Sequence, residues 1–434
     1  MFETLRNAWK VEDIRKKILY TLMILVIVRL GSAIPVPFLN PNALAGMLGD
    51  GNLLGYLDIL TGGAFSQATL FALSISPYIT SSIVMQLLAV AIPALERLQK
   101  EGEEGRKKIN QITRYVTVAL AAIQATAFYV MFYRMGAVHY KEGFSAWVSG
   151  AAIITAFMAG AMLVVWLGEQ IDEKGIGNGI SIILFAGIVS RAPSAIQTLL
   201  SYWAMGAQEY KYYIYVPLIV LIFLVLIIFI IVMTNAERRI PIQYAKRVVG
   251  RKMYGGNSSY FPVKVNMSGV LPVIFASSFL AIPGTVRGFM AVPTVETGFY
   301  TGFYKFLAWF NYNTPQYAII YFLLIIAFNY FYIAIQYNPI QIANDLRKNN
   351  GTVPGIRPGK PTSDFISRII SKITLVGALF LGLIAVLPII LGALMGVNIA
   401  LGGTSIIILV GVALDTVRSL ESQMMMRHYK GFLE

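Results

Sequence analysis

The sequence contains no cysteine and only two histidines, His139 and His428, among 434 residues. The absence of cysteine excludes disulfides, thiolate nucleophiles and cysteine metal sites. The histidines are far apart in the sequence, and neither has neighbours at the spacing of metal ligands. We therefore predict a chain that has no cofactor and is not an enzyme.

Charge is also scarce, because charged residues make up 13% of the chain and hydrophobic residues make up 57%. A soluble globule of this length would have too few polar side chains to cover its surface. The composition therefore indicates an integral membrane protein. The net charge of +14 is also typical of nucleic-acid binders, but here its distribution along the chain follows membrane topology.

Ten apolar stretches alternate with polar loops, and several reach the roughly 17 to 25 residues that a spanning helix needs. They are Ile18–Ile34, Phe71–Ile92, Tyr115–Phe132, Gly150–Leu167, Ile180–Leu200, Tyr213–Met233, Met267–Pro283, Tyr317–Tyr337, Ile373–Leu391 and Thr404–Leu414. Alternate loops hold about 27 of the 35 lysines and arginines, and the intervening loops hold about six. Since basic loops stay on the cytoplasmic side, we predict that both termini are cytoplasmic and that basic residues contact anionic lipids.

The even number of spans divides into two sets of five, over residues 1–205 and 206–434. Because five is odd, two halves that share a fold must lie in the membrane with opposite orientation. Inverted repeats place the working site at their interface near the midplane. The predicted fold is therefore an all-α polytopic membrane protein of two inverted halves.

Residues 52–70 are too apolar for a solvated outer loop, yet Asp58 and the pair Gly62 and Gly63 interrupt them before they can span. A short re-entrant helix fits, because irregular backbone at membrane depth needs protein or a water-filled cavity around it. This interpretation places the segment inside a funnel. The alternative is an amphipathic helix on the outer membrane surface.

Two basic loops, 234–267 and 338–372, are longer than ordinary connections. In the first, β-favouring stretches lie on either side of Gly250 and Gly255, which predicts a basic hairpin. In the second, basic residues surround turn-forming glycines and prolines. Docking of an acidic partner explains these loops at least as well as membrane orientation alone.

The centres of the spans lack the ionisable groups that ion-coupled transporters usually need. They contain the amides Gln86, Asn266, Asn329 and Gln336, which most often form hydrogen bonds between helices worth about 1 kcal/mol. A wide path closed by an apolar constriction fits this pattern better than an ion-coupled solute transporter. The transporter and a noncatalytic scaffold or insertase remain as alternatives. No glycine-rich run has the spacing of a nucleotide site.

Four stretches of this sequence resemble the SecY family of protein-conducting channels, and the similarity covers essentially the whole chain. The stretches are LTGGAFSQATLFALSISPYITSSIVMQLL (60–88), GEQIDEKGIGNGISIILFAGIV (168–189), KVNMSGVLPVIFASS (264–278) and NPIQIANDLRKNNGTVPGIRPGK (338–360). The resemblance implies ten helices around an hourglass pore, with a plug helix in the outer funnel.

The resemblance also implies roles for individual residues. The pore ring would be Ile75, Ile79, Ile180, Leu184, Ile274 and Ile408. The plug would include Leu57, Asp58, Ile59, Leu60, Thr61, Gly62, Gly63, Ala64 and Phe65. Gln86 and Asn266 would form a polar pair across a lateral gate between spans two and seven. Partner docking would use Lys246, Arg247, Arg251, Lys252 and Arg357.

A member of this family would move unfolded secretory polypeptides across the inner membrane and release membrane segments sideways into lipid. The partners that the resemblance implies are the small subunits SecE and SecG, the SecA motor ATPase, the ribosome, and signal peptides and nascent polypeptides. Energy would come from a partner, since no nucleotide site is predicted in this chain.

Overall fold

The computed structural model describes residues 6, 8–40, 63–134, 136–140, 142–244, 247–249, 252–254, 258–290, 298–310, 314–395 and 402–430. The helices before the first strand are α1 Glu12–Gly31, α2 Ser76–Ala91, α3 Pro93–Lys100, α4 Glu103–Arg134, α5 Gly143–Lys174, α6 Gly179–Ser190, α7 Ala192–Met205 and α8 Lys211–Asn235. The strands are β1 Glu237–Tyr244, β2 Arg247–Val249, β3 Lys252–Tyr254, β4 Ser258–Lys264 and β5 Gly351–Thr352. The later helices are α9 Leu271–Phe289, α10 Phe299–Ala308, α11 Pro315–Gln336, α12 Pro339–Lys348, α13 Lys360–Met395 and α14 Gly403–Lys430.

Each of the ten predicted spans overlaps at least one of these helices. Among the described residues, seven helices are long and apolar enough to cross a membrane, or eight if α2 and α3 form one span bent by 106°. The first predicted span lies in α1, whose first turns carry several charges, and the seventh lies in α9, whose apolar part is short. The all-helical membrane fold is confirmed.

Several helices begin or end away from the predicted apolar stretches: α4 begins at Glu103 and not at Tyr115, and α14 continues past Leu414 to Lys430. The second span begins at Ser76 and not at Phe71, because residues 63–75 form turns and Pro77 lies in the first turn of α2. A proline there loses no helical hydrogen bond. The ninth begins at Lys360 and not at Ile373, so α13 continues well into the loop predicted over 338–372. Its 36 residues would extend about 54 Å, longer than a bilayer needs.

The helices bury three main apolar clusters. One contains residues from 226 to 410, and another contains residues from 36 to 161. The third lies between them and combines α1, α5, α6 and α14 with the turns before α2. This central cluster is where residues of the two predicted halves meet, and the inverted relation of the halves stays a prediction.

The two basic loops form one β-sheet. Strands β1 and β4 make the predicted antiparallel hairpin, with Glu237 opposite Lys264. Strand β5 from the second loop pairs with the end of β1, so that the strand order is β4-β1-β5. The buried side chains of this sheet, Ile240, Val263 and Val353, pack against partly buried apolar residues near the start of α13. The sheet is therefore held on the extension of a membrane span.

Candidate functional site

The six residues predicted for a pore ring lie in one cluster. Ile75, Leu184 and Ile408 are buried, and Ile79, Ile180 and Ile274 are partly buried against the same group. Ile75 ends the turns before α2, and the others come from α2, α6, α9 and α14. Several separate helices therefore direct aliphatic side chains to one place at the centre of the molecule.

Two cavities lie against this ring. The first, about 480 Å³, reaches toward the sheet at Lys264 and has Asn178 and Thr234 in its wall. The second, about 410 Å³, reaches between α2, α4 and α9 and is lined mainly by apolar side chains. Both cavities include Leu184, Ile274 and Ile408 in their walls. An aliphatic constriction between two cavities is a geometry that excludes water and ions from a narrow path.

The predicted plug falls only partly on described residues. Its members Leu57, Asp58, Ile59, Leu60, Thr61 and Gly62 lie outside them. Ala64 and Phe65 are buried, and the Phe65 ring lies 5.0 Å from that of Phe128 in α4. Ala64 and Phe65 thus pack against the core, and the extent of the plug stays a prediction. Gly63 marks the edge of the described part.

The predicted amide pair across the gate is not formed. The Gln86 Nε2 group donates to Ser82 Oγ within its own helix at 3.4 Å. The Oδ1 atom of Asn266 is buried without a hydrogen-bond partner in the described part of the chain, beside the first cavity. Helices α2 and α9 do contact each other. The two helices that the resemblance implies on either side of the gate therefore meet along a seam, and the described residues show no hydrogen bond between Gln86 and Asn266 across it.

A buried hydrogen-bond network lies beside this seam, and the sequence analysis missed most of it. Asn329 in α11 accepts from Ser268 Oγ and donates through Nδ2 to the carbonyl of Thr374 in α13 at 3.0 Å. Ser268 lies between β4 and α9, so Asn329 ties this link to two spans. The sequence marks Asn329 as a buried amide, but it does not mark Ser268 as its partner.

The predicted docking residues that the structure describes lie in the small hairpin of β2 and β3 and in a turn before α13. Lys246 and Arg251 lie outside the described residues. Arg247 is the first residue of β2, and Lys252 pairs with Val249 across the hairpin. Arg357 is exposed in a turn before α13.

The turn that carries Arg357 is fixed on both sides. Gly355 has φ 81° and Gly359 has φ 102°, conformations that other residues rarely adopt. The hydroxyl of Thr362 donates to the carbonyl of Arg357 at 2.9 Å. The backbone conformation of the turn and this hydrogen bond fix the position of the Arg357 backbone, from which the exposed guanidinium extends on the sheet side of the molecule.

Arg239 adds charge to the same sheet. Its Nε donates to Glu237 Oε1 at 2.8 Å, and its guanidinium lies 4.7 Å from the centre of the Tyr260 ring. The hydrogen bond from Arg239 to Glu237 is the main cause that raises the pKa of Arg239. Arg239 is therefore held protonated in an ion pair with Glu237. Among the described residues, no three carboxylate or imidazole groups are arranged to hold a metal ion.

Comparisons with known proteins agree with the architecture. A family model described as SecY matches residues 69–417. The protein translocase subunit SecY of Thermotoga maritima is 40% identical, over 100% of this chain and 98% of the relative. The subunit of the same name from Halalkalibacterium halodurans is 42% identical, over 100% of both.

Solved structures share the fold at lower identity. A structure described as a protein conducting channel has a TM-score of 0.64 and 19% identity, covering 94% of this chain and 92% of that chain. Sec61 in a canine ribosome-channel complex has a TM-score of 0.62 and 19% identity, with the same coverage. On the full-length match to relatives at about 40% identity and on the family model, this chain belongs to the SecY family.

Proposed function

We propose that this chain is the protein-conducting channel of a translocase in the cytoplasmic membrane. It moves unfolded secretory polypeptides across the membrane and releases apolar segments sideways into lipid. The observation that carries the proposal is the aliphatic ring between two cavities, in a chain whose relatives are translocase subunits. Nothing in the comparisons supports the transporter alternative.

In the resting channel, the six ring side chains keep the constriction dry and block ions. The predicted plug, most of which lies outside the described residues, would close the outer side. A polypeptide that enters from the first cavity displaces the plug and fills the ring itself. Aliphatic side chains suit this task because they close around many different sequences without binding any of them by hydrogen bonds.

Sideways release uses the contact between α2 and α9. The second cavity lies beside this contact, and its wall is mostly apolar. The apolar core of a signal peptide gains roughly 0.8 kcal/mol for each CH₂ group that leaves water, which favours opening of the seam toward lipid. No hydrogen bond joins Gln86 and Asn266 among the described residues. Each amide therefore affects opening of the gate separately, through the polarity of its own helix.

The cytoplasmic side carries the sheet of β1, β4 and β5, and both termini lie on that side. The basic surface around Arg357 docks a ribosome or the SecA motor, which supplies the energy for directional movement. SecE and SecG associate with the spans within the membrane. Support for a ribosome partner comes from the similar fold of Sec61 in a canine ribosome-channel complex.

Site-specific photo-crosslinking tests the proposal directly. A photoreactive amino acid would replace Ile79 or Ile274, and a stalled secretory chain would be engaged in reconstituted vesicles. We expect crosslinks from both positions. Ile228 of α8, which is 62% exposed, is the matched control at a lipid-facing aliphatic residue. Crosslinks that are equally strong from Ile228, or absent from the ring, would remove the ring from the polypeptide path.

A further inference from the structure

Helix α10 lies at the outer membrane surface, between the ends of two spans. Helix α9 starts shortly after β4 and carries Ile274 of the predicted ring in its first turn. The helix continues for 15 residues beyond Ile274, or about 22 Å, which is more than half of the roughly 30 Å hydrocarbon thickness of a bilayer. Helix α11 then returns over 22 residues to α12 and to β5, which pairs with β1. Because the sheet is cytoplasmic, α10 lies at the opposite interface.

The exposed side of α10 is a stripe of phenylalanines. Phe299, Phe303 and Phe306 have the i, i+4, i+7 spacing of one helix face, and their exposed fractions are 93%, 41% and 51%. Thr301, on the opposite side, is buried. Between residues 299 and 310 the only charged side chain is that of Lys305, which is exposed. The helix therefore combines an outward aromatic face with one cation and no acid.

A specific contact ties α10 to the gate helix α9. The guanidinium of Arg287, in the last turns of α9, lies 4.9 Å from the centre of the Tyr304 ring. The Nε atom of Arg287 is buried and has no hydrogen-bond partner in the described part of the chain. The Tyr304 ring is thus a main attractive contact of this cation, and α10 and the outer end of α9 are linked through it.

The occupant of the aromatic stripe follows from its surroundings. On α9, Phe279, Ile282 and Val286 are exposed at 52%, 52% and 40%, and they form an apolar band that runs toward α10. Ile282 and Val286 also line the second cavity. The stripe therefore continues an apolar surface at membrane depth. Aromatic side chains favour the boundary between headgroups and acyl chains, and a lysine there extends its amine to the phosphates.

We propose that α10 is an interfacial anchor, inserted through Phe299, Phe303 and Phe306 into the outer leaflet, and that it holds the outer end of α9 at the membrane surface. The anchor itself is independent of translocation. Its consequence for the gate rests on the proposed function, because α9 carries Ile274 of the ring and one side of the lateral seam.

Fluorescence quenching in lipid vesicles tests the anchor, and the chain suits this method because it has no cysteine. Phe303→Cys and, separately, Phe306→Cys would be labelled with a polarity-sensitive dye in the full-length protein. We expect strong quenching by lipids that carry a spin label near the headgroup, and little quenching by aqueous iodide. Two positions keep the test valid if one variant folds poorly.

The matched control is Asn344→Cys on α12, an exposed position on a helix of the same ten-residue length on the sheet side. Its dye should show the reverse pattern. Strong iodide quenching at both α10 positions would overturn the proposal. Shielding from iodide and lipid quenchers alike would also overturn it, since it would mean that protein covers the stripe. Neither result depends on polypeptide transport, so the crosslinking test of the channel remains separate.

Discussion

At the scale of single residues, the proposed seal needs only aliphatic bulk and the absence of polar atoms. Ile75, Leu184 and Ile408 are buried, and the other predicted ring residues are partly buried against them. A leucine among isoleucines is compatible with such a seal. Polarity at these positions should therefore have a larger effect than shape.

The first prediction concerns this polarity. The double change Leu184→Asn with Ile274→Asn should raise resting ion conductance on the order of tenfold, because amides let water wet the constriction. Conductance of the purified protein in planar bilayers measures this effect. Leu184→Val with Ile274→Val is the control that keeps the ring apolar, and it should conduct like the parent. Equal conductance of all three proteins would contradict the seal.

The second prediction concerns Asn329. Asn329→Leu removes the bond to the Thr374 carbonyl and leaves the Ser268 hydroxyl buried without its acceptor. We expect a loss of about 1–3 kcal/mol in the free energy of unfolding, since an unsatisfied buried polar group is costly. Thermal unfolding in detergent should show a lower midpoint.

Asn344→Leu, on the exposed side of α12, is the matched control for this change and should leave the midpoint nearly unchanged. Ser268→Ala in the Asn329→Leu background should recover part of the loss, because it removes the orphaned hydroxyl. A midpoint that stays at the parent value in Asn329→Leu would show that the network contributes little.

At the scale of elements, the turns before α2 join the predicted plug to the second span. The sequence assigns residues 52–70 to a re-entrant segment and starts the span at Phe71. The structure buries Phe65 and Ala68 against α4 and α5 and starts the helix only at Ser76. We therefore expect the part before Gly63 to be the part that moves as a plug.

This boundary gives the third prediction. Deletion of residues 52–62 should leave the fold intact and make the closed channel leak ions, because it removes only the cover of the outer funnel. Deletion of residues 52–65 should in addition lower thermal stability, since loss of a buried phenylalanine costs roughly 3–5 kcal/mol. Liposome leakage and thermal unfolding measure the two effects.

Phe65→Ala alone is the control that separates these effects: it should destabilise the protein without opening the channel. If deletion of 52–62 lowers stability as much as deletion of 52–65 and causes no leak, the segment is structural and the outer cover lies elsewhere.

Sequence reasoning succeeded for these elements where one physical signal dominated. Each long apolar run coincides with at least one helix, and seven or eight of the described helices are long and apolar enough to span. The β-favouring stretches around glycines correspond to the β1–β4 hairpin. It failed where the structure of a segment depends on its packing against distant parts of the chain. Strand β5 has two residues, too few for a pattern. The polar start of α13 is typical of a loop, and its helix is stabilised by packing on the sheet.

The candidate site shows the same division. The residues of the ring came from a family resemblance, and the structure brings them together in one cluster. The predicted hydrogen bond between Gln86 and Asn266 is not formed, because side-chain rotamers that the sequence does not determine decide such a contact. Gln86 instead reaches one turn back to Ser82.

At the scale of the whole molecule, the sheet connects the proposed docking surface with the proposed channel. Arg357 is held in a fixed turn between β5 and α13, while Lys252 belongs to the small hairpin of β2 and β3. Strand β4 of the same sheet leads directly into the segment before α9. Binding energy and coupling can therefore reside in different residues.

The fourth prediction separates these two roles. Arg357→Glu should reduce ATP-driven translocation by the motor at least tenfold while changing motor binding by less than threefold. The reason is that the rigid turn fixes the direction of this one side chain, whereas binding is shared among many basic residues. Arg251→Glu with Lys252→Glu should weaken binding itself, with a stronger effect at low salt. Both quantities can be measured in reconstituted vesicles.

Arg347→Glu, an exposed cation on the neighbouring helix α12, is the control for charge alone. Normal translocation by Arg357→Glu would exclude this residue from coupling. A parallel loss of binding and translocation would reduce its role to a simple contact.

The pairing of β5 with β1 has a consequence for the order in which the chain folds during synthesis. The hairpin of β1 and β4 forms from neighbouring segments, whereas Thr352 and Gln243, which hydrogen-bond across the β5 pair, are 109 residues apart. Between them lie α9 and α11, which must cross the membrane outward and back before β5 can reach β1. Strand β5 of a nascent chain can therefore pair with β1 only after these two spans have been inserted so that both strands lie on the same side of the membrane. The sheet is completed late in synthesis for this reason.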